Sequence, residues 1–197
     1  MPLKTLVKVG NISNLSDARY CAGMGVEMLG FTVIEGRENF IPSKSYQEIR
    51  GWVSGPSVVA EVYGLHAETN ITAIRNDYSP DFLELSVDDL PNLSDKTLPL
   101  ILLTTEDSLT KNLIQLNSIK ERIAFLILEE SNNTWSFIEK TAAIFPVLVA
   151  LESSLNLPGV LEKTNLKGIV LNGSQELKPG LKDYDQLAEV LEQLDTD

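Results

Sequence analysis

The sequence predicts an α/β protein, a single (β/α)8 barrel spanning residues 1–197. Three observations carry that prediction. Eight short runs are apolar along their length and rich in β-branched residues, the pattern of strands covered on both faces. Amphipathic segments of helical period separate them, so strand and helix alternate. The whole alternation also fits within 197 residues, the span of one compact barrel. An open, doubly wound sheet is the alternative, but such sheets more often have five or six strands.

The first strand falls at residues 6–9 and a helix at 15–23, with Ser16 and Asp17 suited to its N-terminus and Gly25 placed where it stops. A second strand at 28–33 precedes Pro42 and a helix over 43–53. The third strand, 57–63, leads to a helix at 67–76. After the fourth strand, 82–85, the segment VDDLPNLSD is too short and too Pro-broken to make a good helix. The remaining strands at 98–103, 124–129, 147–151 and 168–171 are followed by helices at 108–119, 134–144, 155–164 and 183–194. This is TIM-barrel order, in which active sites lie where strands end and βα loops begin. No linker, low-complexity tract or domain boundary divides the chain.

Apolar residues make up 43% of the chain and charged residues 22%, a globular composition. A net charge of −12 argues against a nucleic-acid partner, which needs a basic face, and more weakly against anionic membranes. No apolar run approaches the ~20 residues of a membrane helix, and the stretch MPLKTLVKV lacks a signal-peptide core. A soluble, cytoplasmic protein is therefore expected. The one cysteine, Cys21, rules out an intramolecular disulfide. It falls on the apolar side of the first helix and reads as a buried structural thiol rather than a nucleophile.

Several stretches carry a more specific signal. Lys8-Val9-Gly10-Asn11-Ile12-Ser13 is followed by Asn14-Leu15-x-Asp17-Ala18 and then Gly25-Val26-Glu27-Met28-Leu29-Gly30-Phe31. Near the end stand Asn172-Gly173-Ser174-Gln175-Glu176 and Pro179-Gly180-x-Lys182-Asp183, and between these regions lies ESSLNLPGV. Together they resemble phosphoribosylanthranilate isomerases, the small TIM barrels of tryptophan biosynthesis, whose pattern runs K-[IV]-C-G-[IL]-T, N-L-x-D-A, G-A-D-x-x-G-F, S-G-G-L-N-P-x-N-V and S-S-G-V-E-x-x-P-G-x-K-D. The resemblance covers essentially the whole chain. It implies an Amadori rearrangement of a phosphorylated aminoaldose, with a base, an acid and a phosphate cradle at the last two βα loops.

The matching positions depart from that pattern one after another. The family's base is the cysteine of the first strand end, where this chain has Gly10. Its acid is an aspartate ending the sixth strand, matched here by Glu129, which reads as a surviving acid or as a solvated strand-end carboxylate. The arginine that holds the substrate carboxylate is matched by Asn39. Arg37, two residues earlier, is either its substitute or a solvated loop residue. The family's Q-L-H becomes Glu84-Leu85-Ser86, and its eighth-strand aspartate becomes Val170. The Gly-Gly of the phosphate loop becomes Ser153-Ser154, preceded by Glu152, while Gly173 and Ser174 remain compatible with a weak anion nest. A carboxylate ~4 Å from a phosphate charge at an effective dielectric near 20 costs roughly 4 kcal/mol. That exceeds the gain from one or two hydroxyl hydrogen bonds at about 1 kcal/mol each.

Carboxylates are also frequent at strand ends and nearby loops: Glu35, Glu61, Glu84, Glu129, Glu130 and Glu152. The resemblance implies that Glu84 and Glu129 face the barrel mouth, since the family's equivalents do, and Lys8 at the inward phase of the first strand is a partner for Glu84. Such a mouth suits a cationic or polyhydroxy ligand, or a hard divalent ion; the plainer reading is scattered acids in an acidic protein. His66, in the loop after the third strand, is either a base near neutral pH or a surface residue. The expectation is a divergent barrel that has lost or strongly weakened the isomerisation and takes another small molecule at its mouth, without a cofactor or metal, as a monomer or homodimer. An active isomerase with a displaced base and Glu129 as acid, or a non-catalytic scaffold, are the alternatives.

Overall fold

The computed structural model describes residues 3–130, 134–151, 154–163, 165–173, 176–178, 181–182 and 185–196. Eight parallel strands close into a barrel in chain order: β1 (Leu6–Gly10), β2 (Met28–Thr32), β3 (Ser57–Glu61), β4 (Phe82–Ser86), β5 (Leu100–Leu103), β6 (Ile123–Glu129), β7 (Val147–Ala150) and β8 (Gly168–Asn172). Closure is made by β8 pairing with β1 over five residues, from Leu6 opposite Gly168 to Gly10 opposite Asn172. The expected strands are all present, within two residues at each end.

The helices are α1 (Leu15–Gly23), α2 (Ser43–Arg50), α3 (Ile71–Tyr78), α4 (Glu106–Ser118), α5 (Trp135–Ala142), α6 (Leu157–Leu161) and α7 (Asp185–Leu194). VDDLPN forms only a 3-10 turn, with Pro91 inside it. The start of α1 corrects the sequence reading. Asn14, not Ser16 or Asp17, is the N-cap, its Oδ1 accepting the Asp17 N–H at 2.9 Å. Asn70 caps α3 in the same way through the Ala73 N–H, which moves that helix start from 67 to 71. Helix α6 is shorter than expected, because a 3-10 turn (Ser154–Asn156) takes the first part of its span. After β8 a two-stranded antiparallel ribbon, β9 (Glu176–Lys178) with β10 (Leu181–Lys182), stands outside the barrel and was not expected.

Alternation along the strands divides the apolar residues into two sets. An outer layer packs strands on helices and includes Val7, Val9, Leu29, Phe31, Cys21, Leu83, Leu102, Val149 and Ile169. The inner set, Met28, Val59, Ile101, Ile127, Leu148 and Val170, fills the barrel with help from Leu6, Phe82, Phe125 and Ala150. Among these inward positions stand polar side chains, mostly toward the strands' C-terminal ends: Lys8, Thr32, Glu61 and Glu84, all buried. An apolar plug below and a polar layer above set the position of the mouth. Among the described residues, no helix is long and apolar enough to cross a membrane.

Candidate functional site

Strand register explains why charges meet inside the barrel. Glu61 at the end of β3 lies directly opposite Glu84 of β4, so two carboxylates point inward side by side. Like charges in that relation repel, and both are buried at 2% exposure. Lys8, 1% exposed, reaches in from β1 and settles between them. Its Nζ donates to Glu61 Oε1 at 2.8 Å and to Glu84 Oε1 at 2.8 Å, with Glu84 Oε2 at 2.7 Å. Burial alone would drive the ammonium to lose its proton, but the two carboxylates outweigh it and raise the Lys8 pKa. Lys8 is therefore a charged anchor and not a free amine nucleophile. The expected Lys8–Glu84 pair is present, and Glu61 joins it.

Glu61 holds the most informative position. Besides Lys8, its carboxylate accepts the Asn11 main-chain N–H at 3.2 Å and the Thr32 hydroxyl at 3.2 Å. It occupies space left by two glycines. A Cβ on Gly10 would lie 2.6 Å from Glu61 Oε1, and one on Gly30 would lie 2.1 Å from the same atom. The β3 carboxylate thus sits at the place where a side chain at position 10 would begin. Above it, Asn11 in a left-handed conformation (φ 56°) donates from Nδ2 to Asn172 Oδ1 at 3.1 Å. Its own carbonyl oxygen Oδ1 lies 3.4 Å from Thr32 Oγ1, whose single proton serves the shorter bond to Glu61.

Tyr63, just past β3, donates its hydroxyl to Glu84 Oε1. Burial first, then the charges of Glu84, Glu61 and Glu129, push its pKa far above the ordinary phenol range, so it remains a donor. Glu129 is inward-facing: its register partner Ala150 and its strand neighbours Phe125 and Ile127 all line the interior. It is solvent-exposed and lies close enough to influence Tyr63. Burial raises the Glu84 pKa, an effect that Lys8 opposes. Ser86 is committed to capping the 3-10 turn through the Asp88 N–H.

Of the other expected site residues, Arg37, Asn39 and His66 take no part in the hydrogen bonds of the Lys8 cluster among the described residues. Arg37 is exposed and lies across the next loop, its Nη2 donating to the Gly64 carbonyl at 3.4 Å. Gly64 has φ +69°, and a Cβ there would meet Arg37 Nη2 at 1.9 Å, so the loop is shaped around the guanidinium. Asn39 is exposed in a left-handed turn (φ 59°). His66 is exposed, with its main-chain N–H bonded to Thr69 Oγ1, and no contact joins it to the Lys8 cluster among the described residues. Gly173 donates its N–H to the Gly10 carbonyl at 2.7 Å, so this amide is already used within the barrel rather than offered to an anion. Ser154 opens the 3-10 turn before α6, whereas Glu152, Ser153 and Ser174 lie outside the described residues.

Of the other strand-end acids, Glu35 is exposed in a loop, and Glu130 is buried at the outward phase beside inward Glu129. Among the described residues, no group of three or more His, Cys, Asp or Glu side chains is gathered as a metal site would require. Lys8 takes the central position that a divalent ion would need between Glu61 and Glu84. Cys21 is fully buried in α1, and burial pushes its thiol up to about 12, which fits the structural reading. Glu61 and Tyr63 were not singled out as site residues from sequence. The available signal was a pair of inward-phase glycines, Gly10 and Gly30, beside a strand ending in glutamate.

No protein-family model and no curated protein sequence matches the chain. Solved structures do resemble it. A phosphoribosyl anthranilate isomerase in complex with reduced 1-(o-carboxyphenylamino)-1-deoxyribulose 5-phosphate superposes with a TM-score of 0.74 at 16% identity, covering 95% of this chain and 97% of that one. The phosphoribosyl anthranilate isomerase of Thermus thermophilus gives 0.74 at 17% identity over 96% and 98% of the two chains. KGPDC from Streptococcus mutans gives 0.62 at 16% identity over 87% and 88%. The fold is thus that of the phosphoribosylanthranilate isomerase barrels along nearly its whole length.

Proposed function

We propose that this barrel binds a small molecule at its C-terminal mouth and does not carry out the Amadori isomerisation by the route its structural neighbours' family uses. The observation that carries this reading is the Glu61 carboxylate in the side-chain space of Gly10, held by Lys8, Asn11 and Thr32. The oxygens of that carboxylate already accept hydrogen bonds from an ammonium, an amide and a hydroxyl. It therefore does not replace a cysteine base. The ligand named with the neighbouring isomerase contains a carboxyl group and a phosphate. The mouth here offers Glu129 at its rim, an occupied Gly173 amide, and Arg37 engaged with the Gly64 carbonyl. Among the described residues, charge and donor supply both disfavour a ligand with two anionic groups.

Among the described residues, a ring of hydrogen-bonding groups remains open to a ligand: the Asn172 amide, part of Asn11, the edge of Tyr63, and Glu129. That set suits a neutral polyhydroxy or cationic small molecule, with no cofactor or metal, in a cytoplasmic protein that is a monomer or homodimer. Glu129 is the carboxyl group of this ring. Complementation of a strain lacking the isomerase tests the proposal. Absence of growth is expected; growth that is lost with Glu129→Ala would overturn it. A melting-temperature screen with polyols, amines and phosphorylated sugars reports on the ligand class. No response to any of them would leave the scaffold reading in its place.

A second reading rests on the same atom seen differently. Glu61 Oε1 lies within 2.6 Å of the Cβ position that a residue at Gly10 would have, so a carboxylate stands where the family's base stands. On that reading Glu61 is the displaced base and Glu129 the acid. Complementation lost on Glu61→Gln as well as on Glu129→Ala would be its signature.

A further inference from the structure

Apart from Glu84, which lies opposite and shares Lys8, the surroundings of Glu61 have the composition of an anion-binding site. Three donors converge on one carboxylate: Lys8 Nζ at 2.8 Å, the Asn11 main-chain N–H at 3.2 Å and Thr32 Oγ1 at 3.2 Å. They come from the middle of β1, the turn after it and the end of β2, so three points of the closed barrel fix the geometry. The ammonium is 99% withdrawn from solvent, where a charge-assisted hydrogen bond is strongest. The walls are shaped for the carboxylate too. Glycine stands at both positions where a Cβ would strike it, Gly10 and Gly30, and neither has the positive φ that would otherwise account for glycine. The barrel therefore keeps two inward positions without side chains and points donors at the space they leave.

We propose that the floor of the mouth is a carboxylate-binding site filled in cis by Glu61, and that a small monocarboxylate is the ligand it takes once that side chain is removed. The tether gives Glu61 a large effective concentration over any free anion. Its presence keeps external carboxylates away from Lys8. The inference is independent of what binds above Asn11, so it stands or falls separately from the function proposed for the mouth.

Chemical rescue provides the test. Glu61→Ala is expected to melt several degrees below the parent in chloride buffer. Replacing chloride with formate, at roughly 100 mM to offset the lost tether, is expected to restore at least half of that loss along a saturating curve. Parent protein and Glu61→Gln, in which the space stays filled, are expected to show no formate-specific shift. Adding Thr32→Val to Glu61→Ala is expected to weaken the formate response several-fold, because one of the three donors is lost. Equal shifts in formate and chloride, or the same response in Glu61→Gln as in Glu61→Ala, would overturn the proposal. If Glu61→Ala does not fold in chloride, refolding it in formate is the equivalent measurement. Native circular dichroism recovered only in formate supports the site, and failure in both salts overturns it.

Discussion

Replacing Lys8 by methionine removes the one positive charge between two buried carboxylates. Both Glu61 and Glu84 are 2% exposed and both bond to the same Nζ. Methionine fills nearly the same volume, so cavity formation contributes little and the electrostatic loss dominates. Breaking a buried ion pair by removing one partner costs about 3–5 kcal/mol, because the remaining charge is left uncompensated. Here two charges remain, opposite each other in register. The Asn11 N–H and Thr32 hydroxyl on Glu61, and the Tyr63 hydroxyl on Glu84, offset part of that. The upper half of the range is therefore expected. For a chain of 197 residues, each kcal/mol moves Tm by roughly 2–4 °C, so a fall of roughly 8–20 °C is expected at pH 7.5. The sign of the pH dependence follows from proton uptake. In the variant, burial and mutual repulsion raise the folded pKa values of the carboxylates above their unfolded values near ~4.3. The folded state then binds more protons than the unfolded state above that pH, and stability falls as pH rises. In the parent, Lys8 is raised, so its contribution is intact below the unfolded lysine pKa and is lost only as pH rises through the folded one. The gap between variant and parent should therefore be smaller at pH 5 than at pH 8. Thermal melts followed by circular dichroism at both pH values measure it. A variant that melts within about 2 °C of the parent at pH 8, with no widening from pH 5, would refute the reasoning; the 2 °C corresponds to under 1 kcal/mol.

Three further outcomes are expected. Gly10→Cys puts a Cβ 2.6 Å from Glu61 Oε1, so urea titration should show a loss of about 1–3 kcal/mol from overpacking; no gain of isomerase activity is expected while Glu61 remains. Cys21 is fully buried, with its thiol pushed up to about 12. Intact protein at pH 8 should therefore react with a thiol reagent only as fast as it opens, and a stoichiometric burst within seconds would contradict that placement. Burial pushes the Asp95 pKa up, but the main-chain N–H groups of Leu98 and Thr97, the Thr97 hydroxyl and Arg75 outweigh it and lower the pKa overall. Its contribution is present above the unfolded carboxylate pKa and is lost as pH falls through the lower folded value. Asp95→Asn should be less stable than the parent at pH 7, with the difference closing below pH 4, as read by Tm.

The site was only partly legible. Lys8 and Glu84 could be paired on paper because the strand phase of Lys8, the family resemblance at Glu84 and the rule that buried charges need partners all point that way. Glu61 was visible as an acid at a strand end, but its contact with Gly10 joins β3 to β1 across β2, and phase alone does not report how far a side chain leans over a neighbouring strand. Arg37 shows the opposite limit. Its loop position was legible, but its contact with the Gly64 carbonyl, reached across to the next βα loop, was not. The cap of α1 was misplaced by two residues because Asn14, Ser16 and Asp17 are all competent caps, and only the backbone conformation at Asn14 (φ −152°, ψ 169°) selects among them.

By itself the sequence determined the architecture. Eight apolar runs separated by amphipathic helices have few ways to bury their faces, and parallel strands with right-handed crossovers close into a barrel whose mouth lies at the strand ends. It also determined that position 10 has no side chain to act as a base. Only the tertiary structure decided what fills that space. Barrel closure brings Gly10, Gly30 and the carboxylate of Glu61 to one point, and Lys8 supplies the charge that lets two glutamates remain there. Glycine looks like a deletion when read along the chain. Inside the barrel it is the clearance for a residue fifty-one positions away, because packing is set by distance in space and not by distance in sequence.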